Sequence, residues 1–246
     1  MYLKTLALVL RISDYNDRDA LLTLLTAEHG RLTAKARGLR RKNSPLTASC
    51  QLLALSEFTL YEYKGMYTIN EAHSVELFTP LRRDLVKLSL GTYFAQVGEI
   101  ISQEDAPGGQ LQSLVLNCLY ALSQMKLAEQ LVKAVFELRV ACIAGYAPDL
   151  RCCSQCGSYE AEYFDLSGGC LLCKNCKNYY VGLRHPVSEA CVDAMRYIVS
   201  CDSKKLFCFS LAEAHLQQLA NVTEAYLITQ LERGFSALDF YKSLFV

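Results

Sequence analysis

Six cysteines crowd the segment from Asp149 to Tyr180, which reads DLRCCSQCGSYEAEYFDLSGGCLLCKNCKNYY. Cys153 and Cys156 form one C-x2-C pair, and Cys173 and Cys176 form another, with sixteen residues between the pairs. A C-x2-C turn directs two thiolates toward one point, and two such turns complete a tetrahedral set of sulfur ligands. Because four thiolates leave no coordination position for water, the spacing predicts one structural Zn²⁺. An iron–sulfur cluster held by the same four cysteines is the alternative.

The choice of ligands within this segment stays open at two positions. Cys152 directly precedes Cys153, and neighbouring residues cannot easily both reach one ion. Cys170 forms a further C-x2-C pair with Cys173, but the two glycines before Cys170 favour a hairpin that places it on a strand. The remaining cysteines are interpreted as small buried apolar side chains. They are Cys50, Cys118, Cys142, Cys191, Cys201 and Cys208.

A second candidate site is the basic run RLTAKARGLRRK. Its cations have no acidic neighbour within the run, and they are Arg31, Lys35, Arg37, Arg40, Arg41 and Lys42. The formal net charge of the chain is zero, yet residues 1–50 hold nine Lys or Arg against four Asp or Glu. Such asymmetry predicts contact with the phosphates of a polyanion. A solvated loop kept soluble by its charge is the alternative interpretation.

The sequence lacks the motifs of several enzyme classes. It has no G-x-x-x-x-G-K-[ST] loop for ATP, no G-x-S-x-G nucleophile elbow and no H-x-E motif of nucleobase deaminases. Asp14, Asp17 and Asp19 lie close together and would suit a metal-assisted nuclease, although a polar turn before a strand explains them more simply. We therefore expect a protein that is not an enzyme.

The composition, with 52% hydrophobic and 20% charged residues, is that of an ordinary globular protein. No apolar run approaches the ~18 to 20 residues of a membrane span. The N-terminal apolar stretch lacks the cleavage site of a signal peptide and predicts a strand. We expect a cytoplasmic protein, in which clustered reduced thiols indicate a metal more than disulfides.

The elements that must position these residues fall into two parts. In the first part, apolar runs of strand length are separated by turn signals at His29-Gly30 and Lys64-Gly65, which predicts about five strands. Five strands within about ninety residues favour a closed barrel, because closure removes exposed edges. Tyr61, Tyr63 and Tyr67 lie on the last hairpin, where they would either stack on bases or pack within the sheet.

From Thr79-Pro80 onward, apolar residues recur at helical spacing. Proline favours the first turn of a helix, so a helix is expected to begin there. Ser210 and Glu213 have the spacing of a capping box for a long C-terminal helix. The predicted fold class is α+β, with a five-stranded OB-type β-barrel at 1–79, an α-helical domain at 80–246 and an inserted four-cysteine zinc lobe at 149–180.

Taken together, these motifs resemble RecO, a family of bacterial recombination mediators. VLRISDYNDRDALLTLLTAEHGRL is similar to the family's opening strand, tyrosine-acidic turn and T-x-x-x-G hairpin, and KARGLRRKNS is similar to its GARR-x-x-S loop. FELRVACIAGYAPDL leads into CSQCG and GGCLLCKNC, in the family's order of helix, linker and cysteine pairs. The chain departs from the family at Asp17, where glutamate is common.

The resemblance implies a DNA-binding OB-fold, with Arg37 and Arg40 in the family loop, and a helical domain that carries the zinc lobe. It implies binding of single- and double-stranded DNA, annealing of complementary strands and a location at the nucleoid. The implied partners are RecR, the C-terminal tail of single-strand binding protein, and RecF and RecA, the last loaded onto coated DNA. A zinc-containing nuclease or hydrolase and an RNA-binding or protein-binding scaffold stay open as alternatives.

Overall fold

The computed structural model describes residues 1–179 and 182–245 of the chain. The described residues form two compact units. The first comprises Met1–Met125 together with the C-terminal residues from Phe235, and the second comprises Lys126–Gly234. The basic run therefore belongs to the first unit, and the cysteine pairs belong to the second.

Five strands of the first unit form a closed barrel. They are β1 (Tyr2–Asp14), β2 (Ala20–Thr26), β3 (Gly30–Ala36), β4 (Leu55–Tyr63) and β5 (Met66–Glu76). The order around the barrel is β1-β2-β3-β5-β4, and β1 closes it by pairing with β4. Neighbouring strands are antiparallel except β3 and β5, which are parallel. The predicted five-stranded OB-type barrel is thus confirmed.

The barrel interior follows from the alternation of side chains along each strand. Val9, Leu24, Ala34 and Leu60 are among the buried residues of the barrel core, and the residues between them face outward. One face of every strand therefore packs the core. On β1 and β2 the opposite face is also largely buried, as Leu8, Leu10 and Leu25 show, so the exposed outer surface lies mainly on the other strands.

Six α-helices follow the barrel within the described residues. They are α1 (Leu85–Ile101), α2 (Gly109–Gln124), α3 (Glu129–Ile143), α4 (Glu189–Ser200), α5 (Glu213–Leu231) and α6 (Ser236–Ser243). The first unit contains α1, α2 and α6, and the second contains α3, α4 and α5. None of these helices combines the length and the apolar character that a membrane span requires.

Two predicted helix starts are wrong. Pro80 lies in a short 3-10 helix, Thr79–Arg83, and α1 begins only at Leu85 because the carboxylate of Asp84 caps it. The Ser210 and Glu213 spacing is not a capping box, because Glu213 is the first residue of α5 and Ala212 occupies the N-cap position. Ser210 is therefore two residues too early to cap the helix.

The second unit also contains a small four-stranded sheet. Its strands are β6 (Asp149–Cys153), β7 (Tyr163–Asp165), β8 (Cys170–Leu172) and β9 (Arg184–Pro186). Their order is β6-β8-β7-β9, with β6 and β8 parallel. The sheet thus extends past the predicted limit of the lobe at residue 180, since β9 pairs with the free side of β7.

The six scattered cysteines do not share one environment. Cys50, Cys118 and Cys191 are buried, as expected, and Cys142 and Cys201 are partly buried. Cys208 is exposed, contrary to the interpretation, because it lies in the connection between α4 and α5.

A buried ion network joins α3 to α5 in the second unit. The ammonium of Lys133 lies 3.0 Å from Glu137 Oε1 and 2.8 Å from Glu224 Oε2. The hydroxyl of Thr223 donates to Glu137 Oε2 at 2.9 Å. Burial disfavours the charged form of Lys133, but the two carboxylates outweigh it and raise its pKa. Burial raises the pKa of Glu137, and the Lys133 ammonium opposes that shift.

Candidate metal centre and nucleic-acid interface

The two C-x2-C turns meet at one edge of the small sheet. Cys153 ends β6, and Cys173 directly follows β8, so the parallel pairing of these strands brings the two turns together. The four sulfurs of Cys153, Cys156, Cys173 and Cys176 all lie within 4.8 Å of one another. The sulfurs of Cys156 and Cys173 are 3.7 Å apart, close to the ~3.8 Å expected between thiolates in a tetrahedral site with metal–sulfur bonds of about 2.3 Å.

The backbone around the Cys153 sulfur favours a thiolate, the form that binds a cation. Burial raises the pKa of the Cys153 thiol, but backbone N–H groups of Cys156, Cys173 and Gln155 point at its sulfur and lower the pKa to about 6. The N–H of Gly157 donates to the carbonyl of Cys153 at 2.9 Å, which closes the first turn. The donor set therefore fits a metal that prefers four thiolates.

Cys152 and Cys170 lie outside this group of four. Cys170 is buried on β8, and its thiol donates to the hydroxyl of Ser154 at 3.3 Å. Cys152 precedes Cys153 on β6, where successive side chains point to opposite faces. Within the described residues, the four cysteines at 153, 156, 173 and 176 are the only His, Cys, Asp or Glu group whose ligand atoms come together in this way.

The basic loop, defined here as residues 37–44, follows β3 in the first unit. Gly38 has φ +67°, a conformation that side chains with a Cβ rarely adopt, and this turns the chain sharply after Arg37. The N–H of Arg41 then donates to the carbonyl of Gly38, and the N–H of Ser44 donates to the carbonyl of Arg41, both at 3.1 Å. The loop is therefore a series of tight turns.

The turn between β1 and β2 holds the basic loop in place. Asp19 Oδ1 accepts from the N–H of Gly38 at 2.8 Å, and Asp19 Oδ2 lies 3.0 Å from the ammonium of Lys35. Asp14 forms an ion pair with Arg40. The bonds from Gly38 and Lys35 lower the pKa of Asp19 to about 2. Two of the three aspartates considered as nuclease ligands are thus engaged with the loop.

The six predicted cations lie in three different settings. Arg31 is the second residue of β3, where it pairs with Glu104 at 3.3 Å and donates to the carbonyl of Glu99 at 3.0 Å. Six residues of strand, about 20 Å, separate Arg31 from Arg37. Lys35 is partly buried against Asp19. The remaining four are exposed, and they are Arg37, Arg40, Arg41 and Lys42.

A groove of about 560 Å³ lies beside the basic loop. Arg37 and Arg41 line one side of it, and Thr68 and Asn70 of β5 line the other. The pairing of β3 with β5 creates this groove, because it sets the loop against the outer face of the last barrel strand. Sequence spacing alone does not reveal that contact.

The three tyrosines of the last hairpin have different surroundings. Tyr67 packs against the barrel core, whereas Tyr61 and Tyr63 face outward and are exposed. Tyr2 on β1, which the sequence did not single out, lies directly across from Tyr61 with ring centroids 5.2 Å apart. The only signal for Tyr2 in the sequence is its position in the alternation of inward-facing and outward-facing residues along β1.

Two sequence models of known families match the chain. The model described as "Recombination protein O N terminal" matches residues 1–78, and "Recombination protein O C terminal" matches residues 82–239. The chain belongs to the RecO family. The RecO resemblance inferred from the motifs is therefore confirmed. The two RecO segments meet near the end of the barrel, whereas the compact units group α1, α2 and α6 with it.

Relatives of this RecO-family chain extend over most of its length. A protein of Acetivibrio thermocellus named DNA repair protein RecO is 34% identical over 245 residues, which cover 99% of this chain and 97% of the relative. A namesake from Thermoanaerobacter sp. is 27% identical and covers 98% of each chain. A third DNA repair protein RecO, from Heliobacterium modesticaldum, is 34% identical over 212 residues. These cover 81% of this chain and 74% of the relative.

Proposed function

We propose that this protein acts in DNA repair and homologous recombination by binding DNA and annealing its strands, without making or breaking covalent bonds. The observation that carries this proposal is the basic loop, held by Asp14 and Asp19 against the OB-type barrel of a RecO-family chain. A loop fixed by these bonds presents its cations without a large entropic cost of ordering on binding.

Phosphate recognition by the loop follows from its charges. Arg37 and Arg41 line the groove, and Lys42 is exposed beside them, so these three side chains can reach a sugar–phosphate backbone. Lys35 forms an ion pair with Asp19, and Arg40 forms one with Asp14. These two cations neutralise the aspartates, which would otherwise repel a phosphate near the loop. Such contacts do not read sequence and act on single and double strands alike.

Annealing uses the same charges. Two complementary strands repel each other through their phosphates, and cations that neutralise those phosphates allow the strands to approach. No nucleotide is required, since the free energy comes from base pairing. Arg31 lies too far along β3 to act with the loop, and we assign it a separate phosphate contact.

The four grouped cysteines serve this function indirectly. We assign them one structural Zn²⁺, which their sulfur set and turn geometry fit. The strands β7 and β8 are only three residues long, and Leu172 and Tyr163 pack against the sulfurs. A lobe with so small a core gains its folding free energy from metal binding.

Membership of the RecO family supports a set of partners for this chain. We propose that it assembles with RecR, contacts the C-terminal tail of single-strand binding protein and, with RecF, helps to load RecA onto coated DNA. Its place of action would be the bacterial nucleoid in the cytoplasm, where its DNA ligand lies.

Salt dependence of DNA binding tests the proposal. Replacing Arg37, Arg40 and Arg41 with Ala should weaken binding. The slope of log K against log salt should fall by about 0.7 to 0.9 for each of the two lost phosphate contacts, those of Arg37 and Arg41. A charge-matched control replaces three exposed lysines of the second unit, Lys126, Lys204 and Lys205. Equal slopes in the wild type and the arginine variant would show that the loop does not touch DNA.

An annealing assay completes the test. Complementary strands precoated with single-strand binding protein should anneal faster with the wild type than with the arginine variant, in the absence of nucleotide. Cleavage of the strands, or annealing that is insensitive to the arginine substitutions, would reject the proposed function.

A further inference from the structure

Four outward-facing residues lie in one row across four strands of the barrel. Lys35 on β3 is paired with Thr68 on β5, Thr68 is paired with Tyr61 on β4, and Tyr61 is paired with Tyr2 on β1. Strands are about 4.8 Å apart, so the row spans roughly 14 Å of the barrel surface. Thr68 also lines the groove beside the basic loop, and the row therefore connects that groove to a pair of tyrosines.

The tyrosines at the end of this row are exposed on the barrel surface. Tyr61 is 40% exposed and Tyr2 is 64% exposed, although their rings contact each other. Tyr63, two residues further along β4, is 62% exposed, and the ammonium of Lys64 lies 5.4 Å from its ring centroid. Tyr2, Tyr61 and Tyr63 are hereafter called the tyrosine platform. Nothing in the described first unit covers it.

The next row of the same face, together with Glu57 beyond it, holds two carboxylates against one ammonium. Lys4, Thr59 and Glu71 are paired across β1, β4 and β5, and Glu57 lies 3.2 Å from the ammonium of Lys4. A phosphate backbone would be repelled from this row and attracted to the basic loop. The charge pattern therefore orients a bound strand, with its phosphates at the loop and its bases over the tyrosines.

We propose that the tyrosine platform stacks the unpaired bases of a single DNA strand whose phosphates occupy the groove of Arg37 and Arg41. This inference rests on the proposed DNA-binding function. It adds a binding site for the bases, whereas the basic loop contacts only the phosphates. Aromatic rings accept the faces of all four bases, so the platform gives affinity for unpaired strands without sequence preference. A duplex keeps its bases stacked inside and gains only the phosphate contacts.

A single tryptophan provides a direct probe, because the chain contains none. The Tyr61→Trp variant should show indole fluorescence that is quenched when an oligo-dT strand binds. An abasic strand of equal length should bind through its phosphates and leave the fluorescence unchanged. Tyr120→Trp on α2, where Tyr120 is 56% exposed, is the matched control and should not respond to either strand. Failure of oligo-dT to quench Tyr61→Trp at saturation would overturn the proposal.

Affinity measurements separate this proposal from the function on which it rests. Tyr61→Ala and Tyr2→Ala should each weaken single-strand binding by about tenfold and leave duplex binding unchanged, whereas Tyr61→Phe should retain wild-type affinity. Wild-type single-strand affinity in both Ala variants, with binding still weakened in the arginine variant, would reject the platform alone. Absence of DNA binding by the wild type would reject the proposed function as well.

Discussion

The carboxylate of Asp19 accepts a hydrogen bond from the backbone N–H of Gly38 at 2.8 Å, across nineteen residues of sequence. The same carboxylate pairs with Lys35, so one side chain of the β1–β2 turn fixes the end of β3 and the start of the basic loop. An acidic residue thereby supports a cationic surface, because it holds the backbone that carries Arg37 and Arg41.

The first prediction concerns the pH dependence of this support. The pKa of Asp19 is lowered to about 2 by its bonds to Gly38 and Lys35, so its contribution to stability is present above the unfolded pKa of ~3.9 and is lost as the pH falls toward 2. Asp19→Asn should be less stable than the wild type at pH 6, and the difference in the free energy of unfolding should shrink below pH 4. Urea denaturation across this range measures it.

Asp17→Asn is the control for that experiment, since Asp17 is exposed in the same turn. Its difference from the wild type should be small at every pH. A stability deficit in Asp19→Asn that stays constant between pH 6 and pH 3 would contradict the assigned role of the Asp19 carboxylate.

The second prediction concerns the metal centre. Cys173→Ser and Cys176→Ser should each release about one equivalent of zinc and lower the unfolding temperature, because each removes one of four thiolate ligands. Cys170→Ser and Cys208→Ser should keep the wild-type metal content, since neither sulfur belongs to the group of four. Elemental analysis of the purified variants decides the ligand set. Zinc loss in Cys170→Ser instead of Cys176→Ser would show that the second pair is shifted by three residues.

The third prediction concerns the turn between β2 and β3. Gly30 has φ +61°, and a Cβ there would lie 2.2 Å from the carbonyl oxygen of Gln103 and 2.4 Å from that of Ala106. Gly30→Ala should therefore destabilise the protein by about 4 kcal/mol, since backbone must move to relieve the clash. Urea or thermal unfolding measures the change.

Gly65 in the turn between β4 and β5 supplies the matched comparison. It has φ +76°, but a Cβ there would meet nothing within 4 Å. Gly65→Ala should cost only the conformational strain, about 1 to 2 kcal/mol. Equal destabilisation by the two substitutions would mean that the contact of Gly30 with Gln103 is not the cause.

The fourth prediction concerns the buried ion network of the second unit. Lys133→Met should destabilise the protein by about 3 to 5 kcal/mol at neutral pH, because Glu137 and Glu224 lose the ammonium that compensates their charge. The variant should then hold a proton on a carboxyl group whose pKa is raised in the folded state. Stability from such a group is present at low pH and is lost as the pH rises through the raised pKa.

Unfolding experiments at pH 5 and pH 8 test the direction in which the stability of Lys133→Met changes with pH. The deficit of Lys133→Met relative to the wild type should be larger at pH 8 than at pH 5. Lys126→Met, a substitution of an exposed lysine in the same unit, should show little deficit at either pH. A deficit that grows at low pH would contradict the network described for Glu137.

The sequence by itself determined the features that depend on local spacing. C-x2-C turns group Cys153 with Cys156 and Cys173 with Cys176 because the two sulfurs of each turn are only three residues apart. Alternating apolar residues and the glycine turns at 30 and 65 determined the strands, because a strand exposes its two faces with a period of two. The unusual order of helix, linker and cysteine pairs determined the family.

The tertiary structure alone decided which distant residues become neighbours. The closure of β1 on β4 places Tyr2 beside Tyr61, and the parallel pairing of β3 with β5 sets the basic loop against Thr68 and Asn70. It also engaged Asp19 with Gly38, which removed that carboxylate from any metal site. The physical reason is that cross-strand register and barrel closure set these contacts, and neither leaves a periodic signal in the sequence.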